Sequence, residues 1–181
     1  LKAMAAYSGF PEEAYDEVFI ILDKMDKIGL EGVEEELVKA GYEKEKAEKY
    51  LELYREVTPD LAGIRYLKEK LTGFLNPKCA EDLETIITSV EAVKTADFKL
   101  VFDPTLVRGM SYYTGPIFEI SIDGFGGSVG GGGRYDEMIG RFTGQNTPAC
   151  GFSVGFERIV MLLLEKDYQI PSRKEKKAFL I

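Results

Sequence analysis

The residues best suited to chemistry lie in short segments between positions 106 and 158. Two of these segments have an arginine near glycine: Arg108 in LVRGMSYYTG and Arg158 in ACGFSVGFER. A guanidinium group matches a phosphate or a carboxylate with two hydrogen bonds, and buried arginine is uncommon unless it is paired. A structural ion pair is the ordinary explanation for one such arginine. Two of them in glycine-rich surroundings favour a ligand that carries a phosphate or a carboxylate.

A run of four glycines at positions 130–133 lies between these arginines and precedes Arg134, Tyr135 and Asp136. Glycine weakens strands and helices, so the run indicates that the backbone bends sharply or approaches something closely. Its spacing fits neither the dinucleotide-binding G-x-G-x-x-G pattern nor a Walker A loop. A flat strand floor beneath a ligand is the more plausible interpretation.

Two tyrosines are candidate contacts to such a ligand. Tyr113 lies on a predicted strand, where a tyrosine usually packs in the core with its hydroxyl at the edge. Tyr135 follows the glycines, so its ring can stand over an open backbone surface. The residue types alone leave the structural and the ligand-facing interpretations open.

Metal and thiol chemistry has little support in the sequence. Histidine is absent, and Cys79 and Cys150 are far apart, which excludes zinc-ligand spacing and Cys–His or Ser–His–Asp catalysis. Glu119, Asp136 and Glu157 could assist a magnesium ion, but a solvated or paired carboxylate is the default. We therefore predict no metal held by the protein itself. Two separate thiols fit a reducing cytoplasm.

The composition is that of a globular protein and argues against other classes. Of the 181 residues, 45% are hydrophobic and 30% are charged, and the net charge is −8. An acidic chain is a poor candidate for bulk electrostatic binding of nucleic acid. No apolar run approaches the roughly 20 residues of a membrane span. The chain begins with leucine and has no signal-peptide pattern, so we expect a piece of a longer protein.

Hydrophobic periodicity predicts helices in the first half of the chain and strands in the second. The predicted helices are at about 11–28, 32–40, 44–57 and 59–71, and from about Pro77 to Val93. The predicted strands are at 98–102, 112–122, 128–132 and 149–153, with a hairpin turn at 123–127. Further helices are predicted at 134–142 and after Gly155.

Taken together, these segments resemble the second half of the catalytic domain of histidyl-tRNA synthetase, a class II aminoacyl-tRNA synthetase. LVRGMSYY at 106–113 is similar to that family's first histidine-specific signature, and GGRYD at 132–136 to the second. GFSVGFER at 151–158 is similar to class II motif 3. The helical half, with LDKMDKIG at 22–29, resembles the insertion before the first signature. The resemblance covers nearly the whole chain, and the combination of motifs is specific.

The resemblance implies an α+β fold: part of a class II synthetase-type antiparallel sheet with flanking helices, plus a helical insertion domain. It also implies domain boundaries. Residues 1–10 would be a remnant of an upstream catalytic core, and 11–95 the helical insertion. Residues 96–170 would be the C-terminal half of the catalytic domain, and 171–181 a linker and the start of an anticodon-binding domain.

The family reaction implies roles for individual residues. Histidine and ATP, the latter with Mg²⁺, would give histidyl-adenylate and pyrophosphate, and the histidyl group would pass to tRNA(His). Arg108 would be catalytic, because it would stabilise the α-phosphate and the histidine carboxylate during attack. The implied histidine-binding residues are Arg108, Tyr112, Tyr113, Gly132, Gly133 and Tyr135. The implied ATP-binding residues are Gly155, Glu157 and Arg158, with the guanidinium group of Arg158 against the adenine.

Two departures from the family pattern affect these expectations. Ser111 stands where the first signature often has an acidic residue. Class II motifs 1 and 2, which build the dimer interface and supply a second arginine for the α-phosphate, are missing. We therefore expect that these 181 residues alone do not make adenylate and hold no ATP, whereas the intact enzyme would be a cytoplasmic homodimer.

Three other functions are weighed against a ligase. The regulatory subunit of ATP phosphoribosyltransferase shares the implied fold and can sense histidine, but it has no need of an adenylation site with Glu157 and Arg158. A histidyl-synthetase-like sensor domain of a stress kinase would be revealed by a kinase domain upstream. An interaction module without a ligand leaves the cluster of arginines and glycines unexplained. The sequence therefore favours the ligase.

Overall fold

The computed structural model describes residues 1–107 and 112–169. Contacts divide the chain into two compact units, Leu1–Pro116 and Ile117–Ile181. The described part of the first unit is helical, and that of the second contains a small antiparallel sheet with helices. The chain therefore has the predicted α+β fold. The finer domain boundaries proposed from the sequence remain predictions.

Arg108 and Ser111, both of interest in the sequence, lie outside the described residues. The predicted linker and start of an anticodon-binding domain at 171–181 lie outside them as well. Across the ranges that the structure describes, no helix has the length and apolar character needed to cross a membrane.

The predicted helices of the first half are present. The helical elements are α1 (Lys2–Ser8), a 3-10 turn (Glu12–Ala14), α2 (Tyr15–Leu22), α3 (Met25–Lys39), α4 (Lys44–Glu56), α5 (Leu61–Lys70) and α6 (Pro77–Val93). Local sequence explains several of their ends. The Asp60 carboxylate accepts hydrogen bonds from the first amides of α5, and the Asn76 side chain accepts one at the start of α6, where Pro77 is the first residue.

An apolar core joins these helices. The largest fully buried side chains are Tyr50, Leu22, Leu37, Leu51, Leu53, Ile64, Leu71, Val18 and Val33. Within this core the hydroxyl of Tyr54 donates to that of Tyr50 at 2.9 Å, so the two buried hydroxyls have a partner. Burial raises the pKa of both tyrosines, because the charged phenolate would lose its hydration.

The predicted helix over 11–28 is divided in the structure. Helix α2 ends at Leu22, and α3 begins at Met25. Within α3, Gly29 has φ 67° and ψ 179°, a conformation that glycine alone adopts readily, so the helical course breaks where a stop was predicted. The sequence did not predict the break between Leu22 and Met25, because the helical spacing of apolar residues continues across it.

In its described residues the second unit has three antiparallel strands in the order β1 (Ile117–Ser121), β2 (Ser128–Arg134) and β3 (Cys150–Val154). Strands β1 and β2 form the predicted hairpin, whose turn contains Gly124 at φ 82°. Helix α7 (Asp136–Thr143) lies between β2 and β3, and α8 (Phe156–Glu165) follows β3. Apart from the start of β1, these elements agree with the predicted ones to within about two residues.

One strand prediction is wrong and another is too long. Residues 98–102 form no strand; the amide of Phe102 donates to the carbonyl of Pro59 at 3.1 Å, and its side chain packs against the helical core. The strand predicted at 112–122 begins only at Ile117, after Pro116. Proline has no amide donor and restricts the residue before it. Alternating apolar residues therefore indicate a sheet only beyond this proline.

Candidate functional site

The register of the sheet separates its side chains onto two contrasting faces. Successive residues of a strand point to opposite faces, and residues paired across strands share a face. One face carries large apolar side chains: Phe118, Ile120, Phe152 and Val154. The other, which we call the small-residue face, carries Ile117, Glu119, Gly131, Gly133, Gly151 and Ser153. On β2 and β3 the small-residue face therefore presents mainly backbone and the short side chain of Ser153.

The apolar face accounts for two of the four consecutive glycines. The rings of Phe118 and Phe152 stack with their centroids 5.9 Å apart. A Cβ on Gly132 would lie 3.0 Å from Cζ of Phe118 and only 1.9 Å from the backbone oxygen of Gly151. A Cβ on Gly130 would lie 3.1 Å from Cζ of Phe152. Gly130 and Gly132 therefore leave room for the rings and for close strand packing.

Tyr135 lies directly over the small-residue face at one end. A Cβ on Gly151 would lie 2.2 Å from Oη of Tyr135 and 2.7 Å from its Cε1, so the ring rests on the backbone of Gly151. The amide of Tyr135 donates to the carbonyl of Ala149 at 2.8 Å, which holds the residue beside β3. Tyr135 is half-buried in this position.

Arg158 lies near the opposite end of the same strands. It belongs to the first turn of α8, and its Nη1 donates a short hydrogen bond to the carbonyl of Ser128. A Cβ on Gly155 would lie 3.5 Å from Cδ of Arg158 and 3.2 Å from the carbonyl oxygen of Val129. The absence of a side chain at Gly155 thus helps its backbone lie close to Val129 of β2, where the Gly155 amide donates to the Val129 carbonyl at 2.8 Å. The Arg158 side chain remains exposed.

Tyr135 and Arg158 are thus at two ends of one surface. Gly151, under Tyr135, and Gly155, beside Arg158, are four residues apart along β3 and its extension, which places them on the same side. At about 3.3 Å per residue, the two positions are about 13 Å apart. Between them the small-residue face offers backbone and the short side chain of Ser153. An elongated ligand with an anionic part fits this geometry.

The remaining predicted site residues fall into separate groups. Gly132 and Gly133, predicted together as a pocket floor, lie on opposite faces, so only Gly133 is on the side of Tyr135. The rings of Tyr112 and Tyr113 are adjacent, with centroids 4.6 Å apart, and they belong to the Leu1–Pro116 unit. Their binding roles, like that of Arg108, stay predictions.

The candidate carboxylates differ in their surroundings. Asp136 accepts hydrogen bonds from Nε of Arg134 at 3.0 and 2.8 Å and from the amide of Ala149 at 3.0 Å. Glu157 is exposed in the first turn of α8. Within 1–107 and 112–169, no group of three or more Asp, Glu, Cys or His side chains is placed to hold a metal ion.

Gly131 and Gly151 were not singled out as site residues from the sequence. Both lie on the small-residue face, in register with Ser153 and Gly133 respectively. The alternation of small residues along a strand could have identified them. Small residues stand at every second position in Gly151, Ser153 and Gly155, and again in Gly131 and Gly133. Two consecutive glycines such as 132 and 133 cannot point to the same face.

Comparisons with known proteins agree on one family. A family model described as histidyl-tRNA synthetase matches residues 1–159. The histidine–tRNA ligase of Leifsonia xyli subsp. xyli is 43% identical over 176 residues, covering 90% of this chain and 38% of the relative. The "Probable histidine--tRNA ligase" of Tropheryma whipplei is 42% identical over 176 residues, covering 91% of this chain and 40% of the relative.

A solved structure gives the same result for the fold. The crystal structure of histidyl-tRNA synthetase from Nostoc sp. PCC 7120 matches with a TM-score of 0.77 and 29% identity, over 92% of this chain and 40% of that one. The chain thus spans about two fifths of the length of the relatives that it matches.

Proposed function

The chain belongs to the histidyl-tRNA synthetase family, and we propose that it carries part of the histidine- and ATP-binding surface of a histidine–tRNA ligase. The proposed enzyme activates histidine with ATP to histidyl-adenylate and transfers the histidyl group to tRNA(His). Its homodimeric state is proposed from the family resemblance alone. A cytoplasmic location is consistent with Cys79 and Cys150, which are both exposed and not joined to each other.

One observation carries the proposal: Tyr135 rests on Gly151 and Arg158 lies beside Gly155, and these two glycine positions are about 13 Å apart along β3 and its extension. Histidyl-adenylate is elongated, with an imidazole at one end, a purine at the other and a phosphate between. A phenol can hydrogen-bond an imidazole, and a planar guanidinium can stack on a purine or bind phosphate oxygens. A glycine floor lets the ligand lie close to the strands.

Proposed roles follow for the other predicted residues. Arg108 would bind the α-phosphate and the histidine carboxylate, and it would stabilise the charge that develops on the phosphate during attack. Tyr112 and Tyr113 are proposed to bind histidine from the family resemblance alone, and so are Gly132 and Gly133. Gly155 would let Arg158 approach the ATP, with Glu157 beside it.

Magnesium is proposed to enter with the phosphates of ATP, as part of the substrate. Of the candidate carboxylates, Asp136 already accepts hydrogen bonds from Nε of Arg134 and from the amide of Ala149. The positive charge offered by this chain to the phosphates would come from its arginines.

The regulatory subunit of ATP phosphoribosyltransferase is not favoured. The relatives that match at 43% and 42% identity are named as histidine–tRNA ligases. The sequence also retains Glu157 and Arg158 at the proposed adenylation end of the site. A histidine sensor would need only the end near Tyr135.

The test is histidine-dependent ATP–pyrophosphate exchange by the natural polypeptide that carries these residues. Arg108→Ala should lower kcat by about a hundredfold or more, as expected for a lost transition-state contact. Arg158→Ala should mainly raise KM for ATP. Arg141→Ala is the matched control, because Arg141 is an exposed arginine in the last turn of α7.

The outcomes separate the two candidate functions. Exchange that survives in Arg141→Ala and collapses in Arg108→Ala supports the ligase. Histidine binding without any exchange by the natural polypeptide would reject the ligase and favour the histidine sensor. The 181 residues alone are expected to give no exchange, because motif 2 and its α-phosphate arginine are not among them.

A further inference from the structure

We infer that Asp136 is a positioning residue that holds Tyr135 in place for recognition of the histidine substrate. The inference rests on the proposed function, because it concerns the neighbour of a tyrosine proposed to bind that substrate. It gives Asp136 a task other than assisting a magnesium ion.

The carboxylate of Asp136 connects the end of one strand to the start of the next. Its Oδ1 accepts a hydrogen bond at 3.0 Å from the amide of Ala149, the residue directly before β3. Both oxygens accept from Nε of Arg134, the last residue of β2, at 3.0 and 2.8 Å. The Asp136 side chain is only 23% exposed, so water competes weakly for these bonds.

Ala149 forms hydrogen bonds with both Tyr135 and Asp136, the two residues that follow β2. Its carbonyl accepts from the amide of Tyr135 at 2.8 Å, and its amide donates to Asp136. We call this pair of hydrogen bonds the Ala149 clamp. It acts where the chain leaves β2 for α7, and Tyr135 there has φ −144° and ψ 60°, outside the regular strand and helix regions. The clamp therefore fixes a backbone position that regular secondary structure does not.

The clamp sets the position of the Tyr135 hydroxyl relative to β3. Gly151 comes two residues after Ala149, and the Tyr135 ring rests on its backbone, with Oη 2.2 Å from where a Cβ would be. Such close contact requires that the backbone of Tyr135 be held to within a few tenths of an ångström. A misplacement of about 1 Å in a substrate-positioning group can cost about a hundredfold in rate.

The arrangement also accounts for the order of residues in GGRYD. Arg134 and Asp136 flank Tyr135 and pair with each other across it. Arg134 is itself nearly half exposed, so most of the anchoring comes from the amide of Ala149 rather than from the ion pair. Removing the Asp136 carboxylate altogether should therefore disturb the position of Tyr135 more than removing only its negative charge.

The test compares Asp136→Ala, Asp136→Asn and Glu137→Gln in the exchange assay on the natural polypeptide. Glu137 is the matched control, because it is the next acidic residue in the first turn of α7 and is exposed. Asp136→Ala should lower kcat/KM for histidine about ten- to a hundredfold while KM for ATP stays within about twofold. Asp136→Asn keeps an acceptor for the Ala149 amide and should have a smaller effect, and Glu137→Gln should match the wild type.

A double variant distinguishes positioning from general damage. In a Tyr135→Phe background, Asp136→Ala should add less than its separate effect, because the hydroxyl that it positions is gone. If the effects of Tyr135→Phe and Asp136→Ala multiply fully in the double variant, the inference is overturned. Equal rises in KM for histidine and in KM for ATP would overturn it as well. An Asp136→Ala variant that behaves like Glu137→Gln would overturn it too.

Amide hydrogen exchange on the 181-residue chain separates failure of this inference from failure of the proposed function. Asp136→Ala should lower protection of the Ala149 amide by about tenfold or more, and Glu137→Gln should not. Unchanged protection of Ala149 rejects the clamp, whatever the enzyme does. A second outcome is possible: the Ala149 amide loses protection in Asp136→Ala, but the natural polypeptide shows no histidine-dependent ATP–pyrophosphate exchange. That outcome upholds the clamp and rejects the proposed function, and with it the role of Tyr135 in binding histidine.

Discussion

Replacement of Gly63 by alanine should destabilise the helical unit, although alanine is the better helix former. Gly63 is buried near the start of α5, and a Cβ there would lie 1.9 Å from the carbonyl oxygen of Thr58. Real Cβ atoms essentially never come closer than 3.0 Å to such a neighbour, so the backbone must retreat by about 1.1 Å. The close approach of loop and helix is thus possible only with glycine.

The magnitude follows from two opposing effects. Exchanging glycine for alanine within a helix gains about 0.5–1 kcal/mol where there is room. Overpacking costs about 1–3 kcal/mol, and a backbone shift of this size belongs at the upper end. A retreat of Thr58 also disturbs the 2.7 Å hydrogen bond from its hydroxyl to Asp60, the residue that caps α5. We expect a net loss of about 2 kcal/mol.

Urea unfolding of the 181-residue chain, followed by far-ultraviolet circular dichroism, measures this loss. The midpoint of Gly63→Ala should fall by about 1 M relative to the wild type. Gly126→Ala is the control, because a Cβ at Gly126 would meet nothing within 4 Å. A free energy of unfolding that is unchanged or increased in Gly63→Ala, with Gly126→Ala unchanged, would refute the close approach to Thr58.

Three further predictions concern the site, a helix cap and the response to pH. Gly151→Ala should push the ring of Tyr135 aside by about 1 Å and lower kcat/KM for histidine by up to about a hundredfold in the exchange assay; an unchanged kcat/KM would contradict the placement of the ring. Asn76→Ala should lower the free energy of unfolding by about 1 kcal/mol, since it removes the cap of α6, and an equal midpoint in urea would exclude that role. The hydrogen bond to Glu17 raises the pKa of Tyr42 to about 12. Because this folded-state pKa lies above the ordinary value of about 10, the stabilisation is complete below pH 10 and is lost as the pH rises towards 12. The difference in urea midpoint between wild type and Tyr42→Phe should therefore shrink over that range, and a constant difference would argue against the bond.

Local sequence determined most of the secondary structure. Gly41, at φ 96°, ends the helix predicted before it, and Asn76 with Pro77 starts another. The hairpin between β1 and β2 was predicted from its turn residues, including Gly124. These features could be predicted because helix spacing, caps and tight turns depend on residues only a few positions apart. The family resemblance likewise came from short contiguous motifs.

Through-space relations were decided only by the tertiary structure. The run of glycines was correctly identified as a strand, but its division between two faces depends on the pairing of β2 with β1 and β3. The position of Tyr135 over Gly151, and the bond from Ala149 to Asp136, join residues that are more than ten positions apart. Residues 98–102 have the alternation of a strand, yet Phe102 packs on helices instead.

These differences have a common physical reason. A period of 2 residues in a strand or 3.6 residues in a helix determines which side chains share a face, but it does not determine which other part of the chain packs against that face. The partner of a face is chosen by the total burial and hydrogen bonding of the folded chain, to which distant residues contribute. The amino-acid sequence by itself therefore determined the helices, the strands of the hairpin and the family motifs of this protein. Only the tertiary structure decided which glycines lie on the small-residue face, which make room for rings, and which carboxylate accepts a hydrogen bond from the amide of Ala149.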